Sequence, residues 1–302
     1  TARVIGTSPT QELRYGDISY EQTVNSEGTR VLLTALHAVS HAGDSLKTIY
    51  PEGESTYGQF KLIHPLLRSR LQNLYVRGSI DARNNATHTN GVHFSNDRIR
   101  SLRAGASYDH ADTLGGVIIA DTELSRGLNG LGATDDGAGR SRIEGEQDYT
   151  KITMDISRVQ TLPENFSMLL AGSGQYAFTS LLTPEQFSLG GPAYGTAYDP
   201  GEISGDHGVA GKVELRYGDM LNAPLVESYQ IYSYYDIGRI WIRRIATGEQ
   251  KNDSLASAGL GTRINFNTHV SGNLEFSMPL TKNLAADPDN DGRIFAGMAI
   301  KY

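Results

Sequence analysis

Apolar and polar residues alternate with a period of two along much of the chain, the repeat of extended strands whose successive side chains point to opposite faces. In 269–280, Val270, Gly272, Leu274, Phe276, Met278 and Leu280 share one face, while Ser271, Asn273, Glu275 and Ser277 share the other. In 293–302, Ile294, Ala296, Met298, Ile300 and Tyr302 oppose Arg293 and Lys301; in 148–161, Ile152, Met154 and Ile156 oppose Lys151, Thr153, Asp155 and Ser157. Likewise Leu74, Val76, Ile80 and Ala82 oppose Asn73, Tyr75, Arg77, Asp81 and Arg83, and Val209, Val213 and Leu215 oppose Lys212, Glu214 and Arg216. The polar face repeatedly carries charge. Such runs reach the roughly 9–11 residues with which a tilted strand crosses a bilayer. A soluble β-sandwich has the same period, but with its polar face outside.

The spacing between strands separates the two folds. The pattern predicts fourteen strands, near 2–7, 12–25, 30–42, 55–67, 71–84, 97–110, 115–127, 148–161, 166–178, 209–217, 227–241, 255–266, 269–280 and 293–302. Short turns such as 26–28, 68–70, 112–114, 163–165 and 267–268 alternate with long polar loops at 43–54, 85–96, 128–147, 179–208, 242–254 and 281–292. The medium link 218–226 falls on the short side. Tight turns at one rim and long loops at the other are the habit of an outer-membrane barrel, and a sandwich gives no reason for them. The expected fold is therefore an all-β, transmembrane antiparallel β-barrel. Tyr229, Tyr234, Tyr235 and Trp241, near strand ends, are candidates for its aromatic girdles.

Composition narrows what such a barrel does. The 302 residues are 38% hydrophobic and 20% charged, with 34 Gly, 16 Tyr and no Cys. Without cysteine there are no disulfides, thiolate zinc sites or cysteine nucleophiles. A net charge of −7 argues against binding nucleic acid through general basicity. No stretch approaches the roughly 18 apolar residues of a spanning helix, which leaves a membrane β-barrel open. The first residues, Thr-Ala-Arg-Val-Ile-Gly-Thr, show no charged leader followed by an apolar run, as expected of a mature or truncated chain.

The longest loop, 179–208, is too patterned for a solvated spacer. It contains Glu185-Gln186-Phe187-Ser188-Leu189-Gly190-Gly191-Pro192-Ala193-Tyr194-Gly195-Thr196-Ala197-Tyr198-Asp199, then Ser204-Gly205-Asp206-His207-Gly208. Its glycines permit tight backbone paths, and its tyrosines need a surface to pack on, so it is expected to fold back into the lumen. This stretch resembles the lid loop of the two-partner secretion transporters, the hemolysin-activation and filamentous-hemagglutinin transporter family, where Glu-Gln-Phe-x-Leu-Gly-Gly precedes an Arg-Gly-Tyr-type motif and Ser-Gly-Asp-x-Gly follows. Pro65 to Tyr75, Asp97 to Gly105 and Gly208 to Tyr217 are similar to the same family. So is Tyr235-Asp236-Ile237-Gly238, an aromatic-x-Asp-x-Gly motif on a later strand.

The resemblance implies a channel that passes a large, unfolded exoprotein from periplasm to surface without nucleotide, enzymatic chemistry or cofactor. Its partners would be outer-membrane lipids, the exoprotein cargo and the barrel-assembly machinery, with no nucleic acid. The lumen lid would comprise Gly190, Gly191, Tyr194, Gly195, Thr196, Ala197, Tyr198, Asp199, Gly205, Asp206 and Gly208. The barrel-wall motif would be Tyr235, Asp236 and Gly238, and Tyr302 would end the C-terminal strand. In the family an arginine of the lid reaches the wall aspartate. Here Thr196 stands at that place, so Asp236 is left with a threonine hydroxyl, or with Arg216 or Arg239 as a substitute cation. By alternation Asp236 shares the lumen face with Gln230, Tyr232 and Tyr234. Family barrels are expected to have sixteen strands behind soluble polypeptide-transport-associated domains. Residues 1–302 are thus expected to be the barrel domain, without those domains and the first strands. A barrel that scaffolds an envelope complex, and a passive pore, are the alternatives.

Other motifs weigh less. Asp287-Pro288-Asp289-Asn290-Asp291-Gly292 matches half a calcium loop, but the twelfth position from Asp287 is Met298 rather than Glu, so a polar hairpin is the expectation. Ser204, Asp206 and His207 lack a nucleophile elbow, and His37 and His41 lack a third ligand in sequence. No metal site is expected. The glycine-rich 127–139 has no βαβ context for phosphate.

Overall fold

The computed structural model describes residues 1–7, 13–41, 51–134, 139–223, 225–244, 251–281 and 291–301. Its main sheet contains β1 (Ala2–Gly6), β2 (Leu13–Thr23), β3 (Arg30–His41), β4 (Pro51–Arg68), β5 (Gln72–Thr89), β6 (Val92–Ala111), β7 (Gly116–Gly127), β8 (Thr150–Thr161) and β9 (Phe166–Ala177), followed by β12 (His207–Ala223), β13 (Val226–Trp241), β14 (Asn252–Asn265), β15 (Val270–Pro279) and β16 (Arg293–Ile300). Between β9 and β12 lie two short strands, β10 (Phe187–Leu189) and β11 (Ile203–Gly205), which pair with each other. The fourteen long strands are hydrogen-bonded in chain order into one antiparallel sheet. Each expected strand is present. Among the described residues no pairing joins β1 to β16. No helix of the described residues is long and apolar enough to cross a membrane.

The sheet curls around the chain between β9 and β12. That one segment touches β5 and β6 through Pro184 and Glu185, and β13 and β14 through Gly195 and Tyr198. A face so enclosed is the inner one, and it holds the charges: Asp81, Glu214 and Asp236 are buried on it. The other face presents Phe60, Leu62, Ile80, Leu102, Leu124, Met154, Leu170, Val213, Ile231, Leu260 and Leu274 to the surroundings. Apolar side chains outside and charged ones inside invert the arrangement of a soluble protein and suit a sheet wrapped in lipid.

Aromatic side chains gather toward both rims. Phe166, Tyr217 and Tyr229 form one chain of tilted rings on the side of the short turns, while Tyr176, Phe178 and His207 cluster at the opposite ends of their strands, where Arg239 lies over Trp241. Tyr235 also points outward. Tyr234 corrects the girdle expectation: it is buried on the inner face, its hydroxyl bonded to Glu275 at 3.1 Å and to Ser277. An even-numbered position of β13 faces inward whatever its residue type.

Two expected connections are strand instead. Residues 85–96 continue β5 and β6 to a two-residue turn, Asn90-Gly91, with φ of 52° and 74°. Asn-Gly with positive φ at both positions is the turn that matches the twist of its flanking strands. The link 218–226 is likewise taken up largely by β12 and β13.

The outward face gives a test of membrane exposure. Leu260, at mid-length of β14, is 60% exposed. Leu260→Arg is expected to lower the folding stability in lipid vesicles by about 2–4 kcal/mol, measured by urea titration. A change within ±0.5 kcal/mol would mean that this face does not meet hydrocarbon.

Candidate functional site

Residues 179–206 lie inside the curled sheet and lead into the wall strand β12. A 3-10 turn at Thr183–Glu185 leads into β10, the chain reverses through 190–202, and β11 returns it to β12. Leu189, Ala197, Tyr198 and Ile203 pack on Ala210, Ile240 and Leu255 of the wall, with Phe187 and Tyr194 at the margin. Gly238 makes that packing possible, because a Cβ there would stand 2.6 Å from Leu189 Cδ1. A second cluster joins Leu181 and Leu182 to Ile99, Tyr149 and Ala177. The loop therefore has an apolar core shared with the barrel wall, which explains why so glycine-rich a stretch holds one path.

Polar contacts fix it at several points. Asp236, with no exposed surface, accepts from the Gly195 N–H at 2.8 Å, the Thr196 hydroxyl at 3.1 Å and the Ser257 hydroxyl at 2.7 Å. Among the described residues it makes no ion pair. Of the two alternative cations, Arg216 pairs with Glu214 and Arg239 with Asn252. Lys212, its register partner on β12, lies over the Tyr234 ring and donates to the Pro192 carbonyl at 3.4 Å. Tyr198 donates to the Ala256 carbonyl at 3.2 Å, and Asp199 accepts from Arg293 at 2.7 Å. The Gly191 N–H donates to the carbonyls of Gly195 and Tyr198, both at 3.2 Å, and so closes the turn at the tip.

Asp206 closes the far end. It is fully buried and accepts from Arg142 at 2.9 Å, from the Leu181 N–H at 2.7 Å and from the Arg243 N–H at 2.7 Å. One carboxylate thus joins both roots of the loop, the segment 139–149 and the end of β13. Of the other expected residues, Gly205 ends β11 and Gly208 lies in β12 beneath the Phe187 ring. Tyr235 faces away from the loop and takes no part in this site. Tyr302 and residues 287–290 lie outside the described residues. Among the described residues no group of His, Asp or Glu could hold a metal ion.

Within Glu185-Gln186-Phe187, the first residue has charged partners that no local pattern signals. Glu185, buried in the 3-10 turn, meets Arg103 of β6 at 2.8 Å and Lys151 of β8 at 2.9 Å. Burial alone would raise its pKa, but the two cations hold it well below the usual carboxylate range. Arg103 also binds Asp81 at 2.9 Å, and Arg77 binds Asp121 at 2.7 Å and Glu123 at 3.1 Å. Arg83 stacks on Tyr57 and donates to the Pro184 carbonyl. Across the interior, Arg263 lies over the Tyr232 ring and pairs with Glu214 at 2.8 Å. Beneath the loop a polar cavity of about 1390 Å³ opens among Tyr232, Arg263, Asn265, Asn273, Glu275 and Pro192.

A curled antiparallel sheet with a lipid-facing exterior, a charged interior and a long loop docked inside defines an outer-membrane β-barrel with a lumen plug. Residues 18–264 match the model of the haemolysin secretion/activation protein ShlB/FhaC/HecB family, and the chain belongs to that family. Membership places it in the bacterial outer membrane. The heme/hemopexin transporter protein HuxB of Haemophilus influenzae is 22% identical over 291 residues, 90% of this chain and 49% of the relative. A second Haemophilus influenzae HuxB sequence is 23% identical over the same shares. The chain spans about half the length of the curated relatives it matches. Among solved structures, CdiB from Escherichia coli superposes with a TM-score of 0.75 at 18% identity, covering 99% of this chain and 58% of that one. BamA from Haemophilus ducreyi gives 0.64 at 12% identity, covering 95% and 62%.

Proposed function

We propose that this chain forms the channel domain of a two-partner secretion transporter, passing a large exoprotein in unfolded form across the outer membrane without nucleotide. Residues 179–208 act as its lumen lid, and Asp236 is the wall contact of the lid tip. The observation that carries this reading is the loop itself, docked across a charged interior by side-chain and backbone contacts that leave the wall strands intact. A permanently plugged scaffold would need no such separable element. The hydrated inner face, with arginines and carboxylates already paired, offers a moving polypeptide many weak contacts and no deep well. Residues 1–302 are proposed as the barrel domain of a longer protein whose periplasmic part selects the cargo, consistent with the half-length match to HuxB. Membrane lipids and the barrel-assembly machinery are its further proposed partners.

The test is a comparison of culture supernatant, cell surface and periplasm from cells with the intact gene, without it, and with 190–208 deleted. The expected result is loss of one large exoprotein from the surface and supernatant in the null strain, with its accumulation in the periplasm. Deleting 190–208 should also alter export. Unchanged export in both strains would favour the scaffold or the passive pore.

A further inference from the structure

The loop 179–208 is fastened at two walls that differ in kind. At the β13–β14 wall, Asp236 is held by three neutral donors, the Gly195 N–H and the hydroxyls of Thr196 and Ser257. At the β6–β8 wall, each carboxylate oxygen of Glu185 meets its own cation, Arg103 at 2.8 Å and Lys151 at 2.9 Å. Backbone contacts reinforce that grip. Lys151 donates to the Glu185 carbonyl at 2.7 Å and to Gln175 at 3.2 Å, and Gln175 donates to the same carbonyl at 3.1 Å. Arg103 is oriented in turn by Asp81 at 2.9 Å and Ser125 at 2.9 Å. The side chains of Glu185, Lys151 and Arg103 are only 3%, 9% and 13% exposed.

The bonds at Asp236 carry charge on the acceptor alone, whereas both partners at Glu185 are charged, and separating a buried ion pair leaves uncompensated charges at a greater cost than losing a hydrogen bond to one charged group. Lifting Glu185 separates three poorly hydrated charges at once, whereas lifting the tip separates Asp236 only from neutral donors in the loop and leaves its Ser257 contact in place; the Asp199–Arg293 pair that parts with the tip has a 58% exposed carboxylate, and such a pair contributes little. We infer that Glu185 is the residue that positions and locks the lid, and that the tip leaves the β13–β14 wall first and pivots about the Glu185 root. This rests on reading 179–208 as a lid. It moves the main lock from the tip to the opposite wall and names Lys151 and Arg103 as its receptor.

The experiment uses the full-length protein in planar bilayers and liposomes. Because residues 1–302 contain no cysteine, a nitroxide on Ala193→Cys, at the exposed tip, reports docking by its spectral mobility once any cysteine outside this stretch is replaced. Glu185→Gln keeps the shape and removes the charge. It is expected to raise the undocked-to-docked ratio and the channel open probability about tenfold or more, against no more than about threefold for Asp236→Asn. Lys151→Gln is a second route to the same broken pair. The double variant Glu185→Gln/Lys151→Gln should be no worse than Glu185→Gln alone, a non-additivity that general loosening of the barrel would not produce. If Asp236→Asn undocks the tip as much as Glu185→Gln, or if the double effect is the product of the singles, the lock is not at Glu185 while the lid remains. If mobility and conductance stay flat in every variant, the lid reading fails and this inference falls with it.

Discussion

Asp206→Ala is expected to loosen both roots of the loop 179–208 and to lower the folding stability by about 3–5 kcal/mol, the cost of leaving one member of a buried charge pair without its partner. The carboxylate is fully buried, and Arg142, whose side chain is 8% exposed, would keep as acceptors among the described residues only the carbonyls of Leu181 and Arg244. The N–H groups of Leu181 and Arg243 would lose their partner as well. Asp206→Asn retains one acceptor oxygen and the shape of the side chain, so it should recover part of the loss. Urea titration in lipid vesicles, together with protease access to the loop, measures both variants. A loss below about 1 kcal/mol for Asp206→Ala would mean that water enters and hydrates Arg142 when the carboxylate is gone, so that the carboxylate does not tie the roots together.

Gly190→Ala acts on the same loop through the backbone. Gly190 has a φ of 107°, a conformation that L residues with a side chain rarely adopt, and its added Cβ would overlap the carbonyl oxygen of Asp199. The overlap is with main chain, which cannot swing away. Strain of about 1–3 kcal/mol for the dihedral and a similar cost for overpacking add to about 2–6 kcal/mol against the docked turn. Because the wall strands do not depend on Gly190, the barrel should still fold and show its heat-dependent gel mobility while the loop becomes protease-sensitive. Resistance equal to that of the unsubstituted protein would refute the tight crossing at 190–202. Loss of the whole barrel would show that loop and wall fold as one unit.

The loop tip is held differently from its roots. Thr196 brings no charge to Asp236, and no other described residue supplies one. The neutral cradle of one N–H and two hydroxyls stands around the carboxylate in a guanidinium's place, and offers less resistance to departure than a guanidinium would. That makes the grip at Glu185 and Asp206 more important here than the tip contact emphasised by the motif alone.

The strands were legible because their cause is local. A sheet between lipid and a hydrated interior must alternate at every second residue, so Leu274, Phe276 and Met278 against Glu275 and Ser277 reveal both the strand and its inward side without reference to any partner. The same rule placed Asp236, Lys212 and Glu214 on the inner face. It also overrules residue type, which is why Tyr234 points inward although its chemistry suits a girdle. The hairpin at Asn90-Gly91 was written in the sequence too, in a dipeptide whose turn geometry is well defined, but the polar residues beside it masked the strand ends beyond the alternating core.

Partners were a different matter. Alternation gives the side on which a group lies but not what it meets there. Glu185 finds Arg103 across 82 positions and the Lys151 ammonium across 34, while Asp206 finds Arg142 across 64. Such pairs depend on how far the sheet curls and where the loop crosses it, quantities summed over many residues and encoded at none of them. The sequence by itself therefore determined the membrane barrel, its inward and outward faces and the loop built to fold inside. Only the tertiary structure decided that Asp236 is held by neutral donors and Glu185 by two cations, because burial and charge pairing arise when distant strands close around the same small volume.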